Sequence, residues 1–387
     1  MHMDSESGLR KQIPALDGIR GVAIIWVVLH NATAMPMAPS QRWLHVLPLL
    51  AHHGWIGVQL FFALSGFLIT SGLLDTRGSA HYFRNFYAKR ALRILPLYYS
   101  VLLVLLVLVP LLWRPPPPYS SEHQTPLWLF TSNWTQSVPY GFAHFWSLAV
   151  EEQYYLIWPL VVVGLAARRL LPACLWITAG ALLLRCGLAA AGASTWTLYS
   201  NTACRMDALA LGGAGACLVR IPLLAETLRA RLPLLAAAAL GIFVVGLPLT
   251  QLYNRDSPTG ATYGYTLLAF SCAAFVTWTA LLEGRALAGF GVGSLLSCAP
   301  LRACGRYSYG MYVFHNLLHK LLGEPWLTRT FGKLPPLPVV FLYAAGVLLV
   351  TYALAFCSYH LLEKHFLRLK RSLAGAAGEP LAGRPEG

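Results

Sequence analysis

Charge is the scarcest commodity in this sequence. Of its 387 residues, 11% are Asp, Glu, Lys or Arg, against about 25% in an average soluble domain. Acid is scarcer still, with 15 Asp and Glu facing 29 Lys and Arg. The eight cysteines form no Cys-x-x-Cys pair, so neither a disulfide framework nor a zinc site is indicated, and small buried hydrophobes are the simpler reading. Large soluble domains, internal repeats and low-complexity tracts are also missing. What fills the chain is apolar: 57% of residues are hydrophobic, mean hydropathy is +0.56, and runs such as 101–109 and 159–167 recur throughout. One soluble core cannot hide so many of them. The formal charge of +14 would suit nucleic acid if it formed a patch. It falls instead in short clusters between apolar spans, the pattern that the positive-inside rule produces. Nucleic acid is excluded as a partner and a lipid bilayer is expected.

The hydropathy pattern predicts an all-α, polytopic membrane protein with about ten transmembrane helices around a polar cavity. The spans are expected near 19–37, 54–74, 94–112, 146–166, 171–191, 205–219, 233–251, 262–282, 307–323 and 338–360. Residues 1–371 read as one transmembrane domain and 372–387, rich in Gly, Ala and Pro, as a disordered cytoplasmic tail. Lys and Arg gather on the side of the N-terminus, so both termini are expected in the cytoplasm. Ala32-Thr33-Ala34 resembles a signal cleavage site, but Asp17 precedes it and cleavage would leave an odd number of spans. The long connection 113–145 is expected to cover an outward-facing entrance.

Ionisable side chains inside such spans are where chemistry is expected. Asp17, Arg20 and His30 lie in or beside the first apolar run, each at a cost of roughly 2.5–3.5 kcal/mol at membrane depth. A neutral imidazole there can take a proton from a hydroxyl. Arg90 and Arg93, three apart on a helix, have Arg84 and Lys89 close by, and four cations at the inner mouth suit the phosphates of a nucleotide-bearing cofactor. Glu151 and Glu152 point about 100° apart, so one of them, Glu151, is expected to face a site together with Ser147 and Tyr155; the plainer alternative is a helix start favouring acids. Arg205 and Asp207 are too close in sequence to pair on one helix, and each should find its partner elsewhere. His315 and His319 are four apart, but no acidic ligand accompanies them and no metal is expected.

Taken in order, these segments resemble the acyltransferase-3 family of integral membrane O-acyltransferases. The likeness is carried by Leu16-Asp17-Gly18-Ile19-Arg20-Gly21, by the run from Gly57 to Ile69, by Arg90 to Tyr98 and by Trp146-Ser147-Leu148-Ala149-Val150-Glu151. Arg205-x-Asp207, Ser308-Tyr309-Gly310-Met311-Tyr312 and Leu361-Leu362-Glu363-Lys364 complete it. The resemblance implies transfer of an acyl group from acyl-CoA, a donor substrate and not a resident cofactor, to a hydroxyl of a glycan or glycosylated product. It implies His30 as general base, Asp17 and Arg20 as its support, Arg90 and Arg93 in donor binding, and Glu151 in the cavity. Trp146, Arg205, Asp207 and His315 are the expected acceptor-side residues. In the family the histidine follows the arginine by eleven positions; His30 follows Arg20 by ten and Asn31 holds the eleventh. Eleven steps return to within about 20° of the starting face, whereas ten leave it about 80° away, an offset that a π-bulge would correct. Arg outnumbers Lys 23 to 6, which fits a GC-rich bacterium such as an actinomycete, a setting in which a macrolide acceptor is as plausible as an envelope polysaccharide. The cell membrane of such a bacterium is the expected location. A secondary transporter is the alternative, but it should show inverted repeats and interrupted helices, and the sequence displays none.

Overall fold

Long apolar runs broken by Pro, Gly and basic clusters leave the backbone one way to satisfy its hydrogen bonds within lipid, which is the helix. The computed structural model describes residues 13–33, 53–112, 123–282, 291–332 and 336–375, and among these no strand occurs. In chain order the helices are α1 (Pro14–Thr33), α2 (Ile56–Asp75), α3 (Tyr82–Leu112), α4 (Trp146–Gly164), α5 (Ala167–Ala190), α6 (Thr195–Ser200) and α7 (Thr202–Leu218). There follow α8 (Pro222–Ala230), α9 (Leu232–Leu249), α10 (Gly260–Leu282), α11 (Val292–Leu296), α12 (Ala299–Leu318), α13 (Glu324–Phe331), α14 (Leu337–Ser358) and α15 (Lys364–Gly375).

Each of the ten expected spans overlaps a helix, the end of the first (34–37) lying outside the described residues, but seven described helical segments are long and apolar enough to cross a membrane. An eighth counts if α6–α7 and α8, bent by 97° at their junction, make one span. The helices that fall short are α4 and α12. Glu151-Glu152-Gln153-Tyr154-Tyr155 and the pair Arg302 and Arg306 dilute their apolarity. Helix α15 runs to Gly375, and the rest of the expected tail lies outside the described residues. So do residues 113–122 of the long connection, although 123–145 form short turns around buried Leu127, Asn133 and Phe142.

The core is built by α1, α2, α4, α7, α10 and α12, whereas α5 and α9 turn most of their surface outward. Two close approaches fix the core. A Cβ on Gly21 would lie 2.1 Å from the Leu301 carbonyl oxygen, and one on Gly305 would lie 1.8 Å from that of Asp17, so α1 and α12 touch backbone to backbone. Gly66 of α2 and Gly212 of α7 meet the partner helix's carbonyls in the same way. Small residues at crossing points allow this packing where lipid supplies no hydrophobic drive between helices.

Candidate functional site

A cavity of about 100 Å³ opens where α1, α2, α3, α4 and α12 converge. Helix α1 contributes Arg20, α2 Phe61, Phe62 and Ser65, and α3 Arg90, Arg93 and Ile94. Helix α4 adds Ser147, Glu151, Glu152 and Tyr155, and α12 adds Ser308, Tyr309 and Tyr312. Ser147, Glu151 and Tyr155 follow one another at four-residue steps and therefore share a face of α4. Glu152 reaches the cavity as well, contrary to the expectation of a single inward carboxylate, because the void continues around α4 towards Arg90. Glu152 also lines an apolar groove of about 1240 Å³ between α3, α4, α5 and α7, which shares Arg90, Glu152 and Tyr155 with the cavity.

Hydrogen bonds set the cavity's side chains. Arg20 Nη1 donates to Asp17 Oδ1 at 2.9 Å, one helical turn away. Ser65 Oγ donates to Glu151 Oε1 at 2.6 Å, and Tyr155 Oη donates to Ser65 Oγ at 3.5 Å. The Arg90 guanidinium lies 5.4 Å above the Tyr155 ring and 5.9 Å from Phe86. On the far wall the Ser147 and Tyr312 hydroxyls are 2.6 Å apart, and Tyr312 Oη donates to the His144 carbonyl at 2.9 Å. One charged cluster thus combines Arg20, Arg90 and Arg93 with Glu151 and Glu152.

A second recess, of about 340 Å³, lies between the end of α2 and the start of α3 and is lined by Asp75, Tyr82, Asn85, Lys89, Arg90 and Arg93 among others. Because Arg90 and Arg93 border both voids, the recess and the cavity are neighbours across two guanidinium groups. Lys89 faces the recess; Arg84 is exposed and lines neither void.

The remaining expected residues stand elsewhere. Helix α1 is α-helical throughout, with no π-turn to correct the ten-residue offset. His30 is buried at its end against the Gly54 backbone and is not among the residues lining the cavity. It is Asn31 that turns to α12: its Nδ2 donates to the Val27 carbonyl at 3.0 Å and lies 3.3 Å from His315 Nε2. His315 Nδ1 sits 2.7 Å from the Tyr312 carbonyl, which assigns the proton to Nδ1 and leaves Nε2 an acceptor facing Asn31. The His144 ring packs 4.9 Å from that of His315.

Asp207 is fully buried and answered: Arg185 Nη2 donates to its Oδ2 at 2.6 Å, Thr266 Oγ1 to the same oxygen at 2.9 Å, and the Ala208 amide to Oδ1 at 2.8 Å. Arg185 is completed by the Thr262 carbonyl at 3.1 Å, the Cys204 carbonyl and the Thr266 hydroxyl. Neither lines the cavity. Arg205, also fully buried, donates Nη2 to Gln59 Oε1 and is ringed by aromatic side chains, Trp146 among them. Sequence reasoning passed over Ser65 and Gln59. Their one signal is a lone polar residue in an apolar run, which membrane depth makes costly unless it has a partner.

The chain is similar over nearly all of its length to known proteins. A family described as an acyltransferase domain matches residues 13–356. A Bacillus subtilis protein named as a peptidoglycan O-acetyltransferase is 29% identical over 379 residues, covering 92% of this chain and 55% of the relative. An O-acetyltransferase of Staphylococcus aureus is 26% identical over 380 residues, 91% of this chain and 57% of the relative. A peptidoglycan O-acetyltransferase of Listeria monocytogenes is 30% identical over 164 residues, 39% of this chain and 24% of its own. The chain spans little more than half the length of the first two relatives. No solved structure matches it.

Proposed function

The chain belongs to the membrane acyltransferase family whose domain it matches, and on that premise we propose that it transfers an acetyl or other short acyl group from acyl-CoA to a hydroxyl of a glycan or of a glycosylated natural product such as a macrolide. The observation that carries this reading is the adjacency of a cationic recess and a polar cavity across Arg90 and Arg93. Guanidinium groups pair with phosphate oxygens in two-pronged fashion, so the nucleotide end of the donor belongs in the recess and its thioester in the cavity. A cavity of about 100 Å³ suits an acyl group of a few heavy atoms. By the positive-inside rule the recess and both termini face the cytoplasm. The peptidoglycan in the names of two relatives supports an envelope glycan as acceptor beside the macrolide.

In the reaction the acceptor oxygen attacks the thioester carbonyl carbon, a base takes the hydroxyl proton, the carbon–sulfur bond breaks and the coenzyme leaves as thiol. Arg20, held by Asp17, supplies donors for the negative charge that develops on the carbonyl oxygen. Glu151, held by Ser65, orients the polar wall opposite. We assign the base to His30 on the family pattern alone, since its side chain stands outside the lining of the cavity. A second reading makes His315 the base, favoured by its Nε2 lone pair, the tautomer fixed by Tyr312, and the Asn31 amide that α1 presents to it in place of a histidine.

Purified protein given acetyl-CoA and a set of glycan and macrolide acceptors tests the proposal. Mass spectrometry should find an acetylated acceptor, and release of free thiol should match it mole for mole. If neither forms while vesicles reconstituted with the protein take up a solute, the chain is a transporter and the proposal is wrong.

A further inference from the structure

Several hydroxyls inside these helices answer their own backbone. Thr178, Thr277 and Thr279 each donate to the carbonyl one turn back, at 2.9, 2.7 and 2.9 Å, the usual resting place of a hydroxyl proton within a helix. Ser65, midway along α2, does not. Its Oγ donates across to α4, to Glu151 Oε1 at 2.6 Å. Its neighbours Leu64 and Gly66 are buried, whereas Ser65 keeps part of its surface open and lines the cavity. The Tyr155 hydroxyl approaches the same oxygen from 3.5 Å. A hydroxyl oxygen carries two lone pairs, so one stays available for attack.

A serine hydroxyl bonded to a carboxylate is the arrangement that makes an alcohol a nucleophile. Tyr309 and Tyr312, which line the same cavity, give their protons to the main-chain carbonyls of Ile94 and His144 at 2.8 and 2.9 Å. Those carbonyls cannot take a proton away; a carboxylate can. Arg20, Arg90 and Arg93 border the same space and supply donors for the charge that develops on a carbonyl oxygen under attack. Size points the same way. A chamber of about 100 Å³ admits a short acyl group but not a thioester arm and a sugar together. The recess and the groove both meet this chamber at Arg90. So small a chamber, approached from two voids, serves its reactants best in turn.

We propose that Ser65 is a nucleophile that carries the acyl group as an ester between donor and acceptor, with Glu151 as the keeper of its proton. The proposal rests on the acyl-transfer reading above and divides its one displacement into two. In the first half Ser65 Oγ bonds to the thioester carbonyl carbon and its proton passes to Glu151. The carbon–sulfur bond breaks, and the coenzyme leaves as thiolate and takes a proton from water. In the second half the acceptor oxygen attacks the Ser65 ester carbonyl, and the base assigned above accepts the acceptor's proton. The bond from the carbonyl carbon to Oγ breaks, Glu151 returns the proton to Oγ, and the base releases its own to water.

The test uses the full chain in lipid nanodiscs, mixed with acetyl-CoA in the absence of acceptor and stopped in acid within the first turnover. The intact mass should rise by a single acetyl group, peptide mapping should place it on Ser65, and free thiol should appear in a burst equal in amount to the protein. Ser65→Ala should lose the label, the burst and transfer to any acceptor while binding acetyl-CoA as before. Ser65→Cys should take up the acetyl group as a thioester that neutral hydroxylamine releases, whereas the serine ester resists it. Glu151→Gln should slow the burst by about 10²–10⁴-fold. Transfer to an acceptor by protein that takes up no label overturns the proposal and leaves acyl transfer standing, as does Ser65→Ala acting at the unaltered rate. Label on Ser65 that reaches no acceptor supports the nucleophile and counts against the acceptor reading. Neither label nor transfer sinks both. Should Ser65→Ala lose its fold, read as loss of acetyl-CoA binding, the position of the label on the unaltered protein decides alone.

Discussion

Two groups of charge lie inside this bundle, and they are built on opposite principles. Around Asp207 every acceptor has a donor: Arg185, Thr266 and a backbone amide close on the carboxylate, and none of these side chains lines the cavity, the groove or the recess described above. Around Glu151 the cavity is lined by three arginines and two glutamates; Arg20 is paired to Asp17, whereas Arg90 and Arg93 form no ion pair among the described residues and look into open space. Burial of charge in a membrane protein is costly in both cases. In the first, the cost is offset by partners within the fold, which makes the cluster a staple between α5, α7 and α10. In the second it is left uncovered, and a ligand is the natural complement. The two buried arginines condense the contrast, since Arg185 is saturated and Arg205 is not.

Substitutions can break this contrast. The largest effect is expected at the base. Positioned proton transfer contributes about 10²–10⁴-fold, so His30→Ala should lower kcat by that factor, with a modest fall in thermal midpoint from the lost buried ring. If the loss instead follows His315→Ala while His30→Ala retains transfer, the base is His315. Next comes the staple: Asp207→Ala leaves Arg185 charged and buried, at a cost of about 3–5 kcal/mol, and should lower the midpoint of thermal unfolding in detergent and the yield of folded protein. Survival of Asp207→Ala at normal stability with a raised acceptor KM would move Asp207 into the site. A smaller change is expected at the donor. Arg90→Ala removes a charged contact of about 1.5–3 kcal/mol and should raise KM for acetyl-CoA by roughly tenfold or more, with stability little altered. The smallest belongs to the rim: Asp75→Ala, which frees the partly exposed Arg220 from a 2.7 Å ion pair, should change stability by about 0–1 kcal/mol, and Arg84→Ala should leave KM for acetyl-CoA within twofold.

Helices were legible because apolar runs of membrane length admit no other structure, and their positions follow the runs closely. Their number was less so, since α4 and α12 carry the polar residues that make a site and thereby lose the apolar signature of a span. Within the site, spacing on one helix is readable: Ser147, Glu151 and Tyr155 must share a face, and so must Arg90 and Arg93. Contacts between helices are not. Nothing in the sequence says that Ser65 meets Glu151, that Gln59 meets Arg205, or that Arg185 lies against Asp207, because each is a single polar residue whose partner sits on another helix. The ten-residue interval from Arg20 to His30 shows the same limit. Helical periodicity states the angular offset, but only the neighbouring helix reveals that Asn31 is the residue turned to His315.

The contact at Gly305 has a further consequence. With the Asp17 carbonyl pressed where a side chain would stand, the helix bearing Asp17 and Arg20 cannot slide past its neighbour without a clash of main chain on main chain. The anionic partner and its arginine therefore form a fixed anvil. Whatever rearrangement accompanies each turnover must keep these two helices in register, and a single methyl group at position 305 would be enough to push the anvil out of true.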